Sequence, residues 1–286
     1  MLKNKEISEL GILPIAAALA VLSGSALAEP SLERGTYLVE GPAACGNCHS
    51  PQGPEGPIPG MALAGMMVEQ NEGFTAIASN ITPAGAVGSW SDGELARAIR
   101  EGIRPDGSVI GPPMPIGLYR GLSDDDLMSI VMYLRQVPAV ENDPGESVYN
   151  IPLPPAYGPP IDTVAAIPEG VTVEYGEYLA GPIAHCMECH TTFGPQGPMF
   201  DSHLGAGGFA FNGPWGTSIA PNITPTGLSE YSDEELGRMI VAGLRPGDVP
   251  MLPPMPYPYF AKMTDDDLAA ILLYLRQLPA LPDGGM

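Results

Sequence analysis

The sequence carries the pattern Cys-x-x-Cys-His twice, and the two copies lie inside a longer internal repeat with a spacing of about 141 residues. Blocks around the two copies recur in the same order, with a one-residue slip at the asparagine block. The paired blocks are Gly35-Thr-Tyr-Leu and Gly176-Glu-Tyr-Leu, Cys45-Gly-Asn-Cys-His and Cys186-Met-Glu-Cys-His, Asn80-Ile-Thr-Pro and Asn222-Ile-Thr-Pro, Trp90-Ser-Asp-Gly-Glu-Leu and Tyr231-Ser-Asp-Glu-Glu-Leu, Pro112-Pro-Met-Pro and Pro253-Pro-Met-Pro, and Tyr133-Leu-Arg-Gln and Tyr274-Leu-Arg-Gln. The repeat predicts two similar domains at 29–142 and 171–286, joined by a proline-rich linker at 143–170 that is extended and semi-rigid.

The first 28 residues have the pattern of an export signal. A lysine-containing start is followed by an apolar run from Gly11 to Ala28 that ends in Ser-Ala-Leu-Ala. We therefore predict a signal peptide at 1–28 and a periplasmic mature protein. The alternative is an uncleaved N-terminal anchor, because the apolar run is close to the lower limit for a membrane span.

Regular structure is predicted to be helical throughout. Ser91 and Ser232 each precede a glutamate by three residues, which is the capping-box pattern. Ser123 and Thr264 each precede three aspartates, which favour the positive end of a helix. Apolar residues then follow with helical spacing, whereas no segment shows convincing strand alternation. We expect an all-α fold, with two tandem domains of short helices and long loops that need a large buried group to complete each core.

Cys-x-x-Cys-His is the attachment motif for haem c. The two thiols bond to the two vinyl groups of one haem, and the adjacent histidine binds the iron. The alternatives are a thioredoxin-like redox pair and part of a zinc site. A redox pair is expected in a βαβ context, which the sequence lacks, and the first domain offers too few Cys and His residues for a zinc site. The duplicated motif therefore predicts two covalently attached haem c groups, with iron ligands His49 and His190.

The second axial ligand is predicted to be methionine. His49 is the only histidine in the first domain, and among the methionines after the first motif only Met114 has a partner in register, Met255, in an identical Pro-Pro-Met-Pro loop. Ligation by histidine and methionine fills both axial positions and raises the reduction potential. The alternative is that both methionines only pack against the haem, which leaves an open iron.

The order of these blocks resembles class I cytochrome c domains, in particular the multihaem cytochrome c subunits of bacterial periplasmic dehydrogenases of the alcohol dehydrogenase type. The resemblance covers both repeats, but this chain has two attachment motifs where the quinoprotein alcohol dehydrogenase subunit has three. It implies the ligand pairs His49/Met114 and His190/Met255. It also implies that Asn80 and Asn222 lie near a haem edge, with turn formation before proline as their alternative role. The haem-attaching residues that it implies are Cys45, Cys48, Cys186 and Cys189.

The predicted function is electron transfer without catalysis by the chain itself. The formal charge of −21 argues against nucleic acid and favours either a high-salt habitat or a partner with a basic docking face. The predicted partners are redox proteins, such as a dehydrogenase or respiratory complex. Contact with a membrane is expected only through a partner or an uncleaved anchor. Two other hypotheses are a dihaem redox enzyme with one open or differently ligated iron, of the peroxidase or thiosulfate-oxidising type, and a wiring subunit of a larger complex or filament.

Overall fold

The computed structural model describes residues 29–54, 56–195 and 197–285. The predicted export signal at 1–28 lies outside the described residues. Within the described ranges, no helix combines the length and the apolar character needed to cross a membrane.

The described residues of the first half form five short helices and two small sheets. Its helices are α1 (Leu32–Glu40), α2 (Cys45–His49), α3 (Asp92–Glu101), α4 (Ile116–Tyr119) and α5 (Asp124–Gln136), with a 3₁₀ turn at Ala86–Ser89. Its strands are β1 (Gln52–Gly53), β2 (Gly56–Pro57), β3 (Met66–Gln70), β4 (Phe74–Ala78) and β5 (Val148–Tyr149). β1 pairs with β2, and β3, β4 and β5 form an antiparallel sheet in that order.

The second half repeats this plan with local changes. Its helices are α6 (Val173–Tyr178), which continues as a π-helical turn at Leu179–Ile183, then α7 (Cys186–His190), α8 (Phe200–His203), α9 (Pro225–Leu228), α10 (Asp233–Ala242), α11 (Tyr257–Phe260) and α12 (Asp265–Gln277). Its strands are β6 (Phe193–Gly194), β7 (Gly197–Pro198), β8 (Ala210–Gly213), β9 (Gly216–Ile219), β10 (Leu244–Arg245) and β11 (Val249–Pro250), which form three two-stranded pairs in sequence order.

The expectation of an all-α fold is wrong. About 38% of the described residues are helical and about 13% lie in strands, so the fold is mixed α/β. The strands are only two to five residues long, and a bulge between Met67 and Glu69 interrupts the ladder of β3 and β4. Such short and irregular strands leave no period-two alternation in the sequence, because most of their residues are partly exposed on both faces.

The predicted helix starts are confirmed by the capping contacts. Ser91 and Ser232 both make the full capping box with Glu94 and Glu235. Ser123 accepts a hydrogen bond from the Asp126 backbone, and its counterpart at the start of α12 does the same.

The longest helix of each half packs against the first helix of the same half. α5 packs on α1, and α12 packs on α6. This pairing is unusually close, because a Cβ atom at Gly35 would lie 2.0 Å from the carbonyl oxygen of Ser129, and one at Gly176 would lie 1.9 Å from that of Ala270. The buried side chains around these pairs belong to one hydrophobic cluster that spans both halves.

The linker packs along the first half. β5 belongs to it, the Tyr157 hydroxyl donates to the Ile110 carbonyl, and the Val164 carbonyl accepts from the Asp124 amide. These contacts cover the loop that precedes α4 and the start of α5.

Candidate haem-binding sites

Each Cys-x-x-Cys-His motif forms a single helical turn, α2 or α7. The residue before the first cysteine enters this turn in the left-handed conformation, with φ 47° at Ala44 and φ 40° at His185. Non-glycine residues adopt this conformation at a cost, so its presence at equivalent positions indicates that both turns are held in the same geometry.

The cysteine thiols are in an environment that keeps them protonated. Burial raises the pKa of Cys45 to about 12 and that of Cys48 to about 11. It raises the pKa of Cys186 to about 12 and also raises that of Cys189. A redox-active Cys-x-x-Cys pair needs the opposite shift, because its attacking sulfur is a thiolate. The environment therefore disfavours a redox pair and suits thiols that form thioether bonds in an apolar pocket.

Both motif histidines are oriented by a main-chain carbonyl. His49 Nδ1 lies 2.7 Å from the Ser79 oxygen, and His190 Nδ1 lies 2.8 Å from the Pro221 oxygen. Burial lowers the pKa of both imidazoles, which favours the neutral form. A neutral ring that donates from Nδ1 presents the lone pair of Nε2, and this is how histidines that ligate metals are usually held. No pattern in the sequence identifies these carbonyl acceptors.

The two asparagines follow these carbonyls directly and are almost fully buried. Asn80 Nδ2 donates to the carbonyls of Val140 and Asn142, and Asn80 Oδ1 accepts from the amide and hydroxyl of Thr82. Asn222 makes the same bonds to Thr224 and to the Leu281 carbonyl. Each asparagine thus ties the segment that follows the last helix to the turn that holds the histidine. Proximity to a haem edge stays a prediction for both.

A cavity in the second half brings together four of its five predicted site residues, all except Cys189. Cys186, His190 and Met255 all line it, with Asn222 and Arg245 among the other lining residues. The space that it encloses, including the part open to solvent, is about 880 Å³. The walls are otherwise largely apolar. This donor set and these walls fit a large flat apolar group, which Cys186, His190 and Met255 would hold.

The methionine loops of the two halves have the same backbone. Each carries a cis peptide bond between its two prolines, and the Met114 and Met255 carbonyls accept from the Ile116 and Tyr257 amides at 2.8 and 2.9 Å. In the first half, Met114 and Cys45 are both partly buried and pack against the same hydrophobic core. Axial ligation by the two methionines stays a prediction.

The arginines in these regions differ in their surroundings. Arg100 pairs with Asp124, and Arg104 bonds to the Ser108 hydroxyl and the Val109 carbonyl. Arg245 lines the cavity of the second half, so its guanidinium is the one cation among the described lining residues that could meet an acidic cofactor edge.

The two attachment turns meet where the halves contact each other. The ring of Tyr119, from the first half, meets the ring of His185 edge-on at 5.9 Å. The Tyr259 hydroxyl, from the second half, lies against Gly46, so a Cβ there would be only 2.4 Å from it. Cys48 is also near enough to Cys189 to help raise the pKa of that thiol. The contact between the halves therefore brings the two attachment motifs into the same region.

Comparison with known proteins finds similarity to cytochrome c proteins. Residues 174–279 match the family model Cytochrome c. The chain is 29% identical over 275 residues to the fructose dehydrogenase cytochrome subunit of Gluconobacter japonicus, covering 90% of this chain and 54% of that protein. It is 28% identical over 298 residues to the alcohol dehydrogenase (quinone) cytochrome c subunit of Gluconobacter oxydans, covering 93% and 59%. A 115-residue segment is 37% identical to a diheme cytochrome c-type protein of Cereibacter sphaeroides, covering 39% and 37%.

The chain spans a little over half the length of the first two relatives. Both are named as cytochrome subunits, which agrees with the prediction of an electron-transfer protein that is not itself an enzyme. The match over 174–279 begins in α6 and ends just beyond α12, so it includes the cavity with Cys186, His190 and Met255 and implies covalent haem c there. Residues 174–279 thus match a cytochrome c domain, and the chain is similar to the cytochrome c subunits of bacterial dehydrogenases.

Proposed function

We propose that this protein is a periplasmic dihaem cytochrome c that relays electrons between a dehydrogenase and a downstream acceptor through two haems, each ligated by histidine and methionine. The observation that carries this proposal is the cavity lined by Cys186, His190 and Met255. It combines an attachment thiol, a histidine whose Nδ1 is held by a main-chain carbonyl and a thioether in one largely apolar space. Haem c bound there would supply a one-electron redox centre.

The second haem of the proposal rests on the repeat. His49 and His190 make the same kind of hydrogen bond to a main-chain carbonyl, and the Met114 and Met255 carbonyls accept equivalent main-chain hydrogen bonds. The diheme relative supports the same number of haems. We propose the domain limits 29–142 and 171–286 for the two haem units, with 143–170 as the linker.

The role of the protein side chains is to hold each iron in one geometry. A carbonyl fixes the ring plane of each histidine, and the proline-flanked loop restricts each methionine. An iron held by both a histidine and a methionine would have no open position for substrate, which would favour electron transfer over peroxide or oxygen chemistry. The proximity of the attachment motifs favours direct transfer between the haems.

The proposed partner is a dehydrogenase in the periplasm. The relatives are subunits of fructose and alcohol dehydrogenases, and the N-terminal segment has the pattern of an export signal. The charge of −21 favours a basic docking face on the partner, and association through that face weakens as salt rises.

Optical and low-temperature electron paramagnetic resonance spectra of the purified holoprotein test this proposal. We expect two low-spin haems with the near-infrared charge-transfer band of methionine-ligated iron and no carbon monoxide binding after reduction at neutral pH. Met114→Ala and Met255→Ala should each remove about half of the band and open one haem to carbon monoxide. Met132→Ala, on the exposed side of α5, is the matched control and should change neither property. A high-spin signal or carbon monoxide binding in the unaltered protein would favour the enzyme hypothesis.

A further inference from the structure

One short stretch of the linker is bonded to the segments that carry both predicted axial ligands of the first haem. On the histidine side, the Ser147 hydroxyl accepts from the Ile77 amide at 2.9 Å, and β5 pairs with β4. Ser79 directly follows β4, and its carbonyl holds the ring of His49. The linker is therefore attached to the strand that leads into the histidine-holding turn.

On the methionine side, Tyr149 covers the loop that leads into Met114. The Tyr149 hydroxyl donates to the Pro112 carbonyl at 2.8 Å, two residues before Met114. Gly111 is buried and lies so close to the Tyr149 ring that a Cβ atom at this position would overlap it. Displacement of the loop from the core therefore requires either that this bond breaks or that the linker moves with the loop.

A second linker tyrosine holds the start of the same loop. The Tyr157 hydroxyl donates to the Ile110 carbonyl at 2.9 Å, and a Cβ atom at Gly102 would lie 3.2 Å from the Tyr157 ring. Burial raises the pKa of Tyr157, and the nearby Tyr149 contributes to the shift. The Tyr157 hydroxyl therefore stays protonated and able to donate at neutral pH. Phenols of the linker thus hold the carbonyls on both sides of Gly111.

The linker is itself anchored beyond these tyrosines. The Arg120 guanidinium donates to the Pro159 carbonyl at 2.5 Å, and the Asp124 amide donates to the Val164 carbonyl at 3.0 Å. Five prolines lie between positions 152 and 160, and proline restricts the conformations that a chain can adopt. A stiff segment that is fixed at several points keeps its two tyrosines in place over the loop.

We propose that residues 147–164 form a clasp that keeps Met114 on the iron of the first haem, with Tyr149 and Tyr157 as positioning residues. This proposal rests on the proposed function, because it requires Met114 to be an axial ligand. The clasp joins the segment beside the histidine turn to the methionine loop, so hydrogen bonds on both sides oppose separation of the two ligands. An external ligand can take the place of Met114 only when the loop swings away, which is a local opening of the structure.

Imidazole binding to the oxidised holoprotein measures this opening. In the exchange, the bond between iron and the Met114 sulfur breaks and a bond between iron and an imidazole nitrogen forms, with no change of oxidation state. The apparent affinity rises in proportion to the fraction of molecules with an open loop. Loss of the near-infrared band of methionine-ligated iron follows the titration.

Tyr149→Phe removes one hydroxyl and keeps the ring. We expect the first haem to bind imidazole about three- to tenfold more tightly, because one hydrogen bond that closes the loop is lost. Tyr157→Phe should act in the same direction. The second haem should keep its affinity in both variants, since the two hydroxyls bond to residues of the first half. An unchanged first-haem affinity in both variants, or an equal rise at both haems, overturns the clasp.

Met114→Ala separates positioning of the methionine from general destabilisation. Without the thioether the first iron is open in every molecule, so adding Tyr149→Phe should change the imidazole affinity by less than about twofold. Tyr178→Phe is the matched control, because it removes a hydroxyl bond at the contact between the halves and should leave the imidazole affinity unchanged. A Tyr149→Phe effect that persists without Met114, or one of equal size in Tyr178→Phe, overturns the clasp.

Optical spectra of the same preparations keep the two proposals separate. Two methionine-ligated haems whose imidazole affinities do not respond to Tyr149→Phe or Tyr157→Phe reject only the clasp. Absence of the near-infrared band from the first haem of the unaltered protein rejects ligation by Met114, on which both proposals rest.

Discussion

The Tyr178 hydroxyl, from the second half of the chain, donates a 2.7 Å hydrogen bond to Asp126 Oδ2 of the first half. Tyr37, at the equivalent position of the first half, donates in turn to Asp267 of the second. Because 37 and 178, and likewise 126 and 267, differ by the repeat spacing, the halves contact each other reciprocally. This is the pattern of a two-fold symmetric dimer, here within a single chain.

Main-chain amides complete both contacts. The Ser123 amide donates to the Tyr178 hydroxyl at 3.1 Å, and the Thr264 amide donates to the Tyr37 hydroxyl at 3.2 Å. The symmetry breaks at Arg34, which forms a two-point ion pair with Asp126, because its counterpart in the second half is Tyr175. Asp126 therefore has a cationic partner in its own half.

Tyr178→Phe tests the strength of this contact. It removes the hydrogen bond to a buried carboxylate that stays paired with Arg34, and it also removes the bonds between the hydroxyl and Ser123. We therefore expect the free energy of unfolding to fall by about 1.5–3 kcal/mol. Urea unfolding of the holoprotein measures the change. Tyr231→Phe is the control, because the Tyr231 hydroxyl makes no hydrogen bond to a described residue, and it should cost less than about 0.5 kcal/mol. Equal losses in the two variants would contradict a role for the Tyr178 hydroxyl.

The contact between Tyr37 and Asp267 predicts that the free energy of unfolding depends on pH. Burial and the hydrogen bond to Asp267 raise the pKa of Tyr37 from 10.0 to about 12. In the unfolded chain the phenol loses its proton at lower pH, so the stabilisation is complete below about pH 10 and is lost as the pH rises through about 12. The difference in unfolding free energy between the unaltered protein and Tyr37→Phe should therefore shrink over this range. A difference that is constant with pH would show that the Tyr37 pKa is unperturbed.

The close approach of α1 and α5 predicts a strong response to one methyl group. Gly35→Ala places a Cβ 2.0 Å from the Ser129 oxygen, and relief requires the two helices to separate. We expect a loss of about 3 kcal/mol, measured by thermal unfolding. Gly93→Ala, in α3, has no atom within 4 Å of the new methyl and should stabilise the helix by about 0.5–1 kcal/mol. The same sign for both substitutions would argue against the packing explanation.

Sequence reasoning recovered the elements whose signal is local. The caps at Ser91 and Ser232 and the apolar spacing of α5 and α12 lie within a few residues of each other in the chain. The hairpins were missed because strands of two to five residues carry too few positions for a period. They are set by pairing with neighbours, not by their own composition.

The groups that form the site also divide into those that the sequence identifies and those that only the fold reveals. The residue types at Cys186, His190 and Met255 identify the chemistry, but the carbonyls that orient the histidines are main-chain groups that any residue could supply. The reciprocal tyrosine contact had a visible signal, since Tyr37 and Tyr178 lie in matching blocks of the repeat. A repeated polar residue on an otherwise apolar helix face indicates a contact between repeats, and that signal can be used for other tandem proteins.

Asn80 positions His49 indirectly, and its substitution should change the reduction potential of one haem only. Asn80→Ala removes the bonds to Val140, Asn142 and Thr82, at a cost of about 2–3 kcal/mol in unfolding free energy. The turn that carries the His49 acceptor then loosens, which weakens the hydrogen bond to Nδ1 and makes the imidazole a poorer donor to iron. Spectroelectrochemistry of the holoprotein should show a raised potential for the first haem and an unchanged potential for the second. Asn222→Ala provides the mirror-image control, because it should move only the second potential. If either substitution lowers stability but moves neither potential, the asparagine is a fold-stabilising residue with no influence on its histidine.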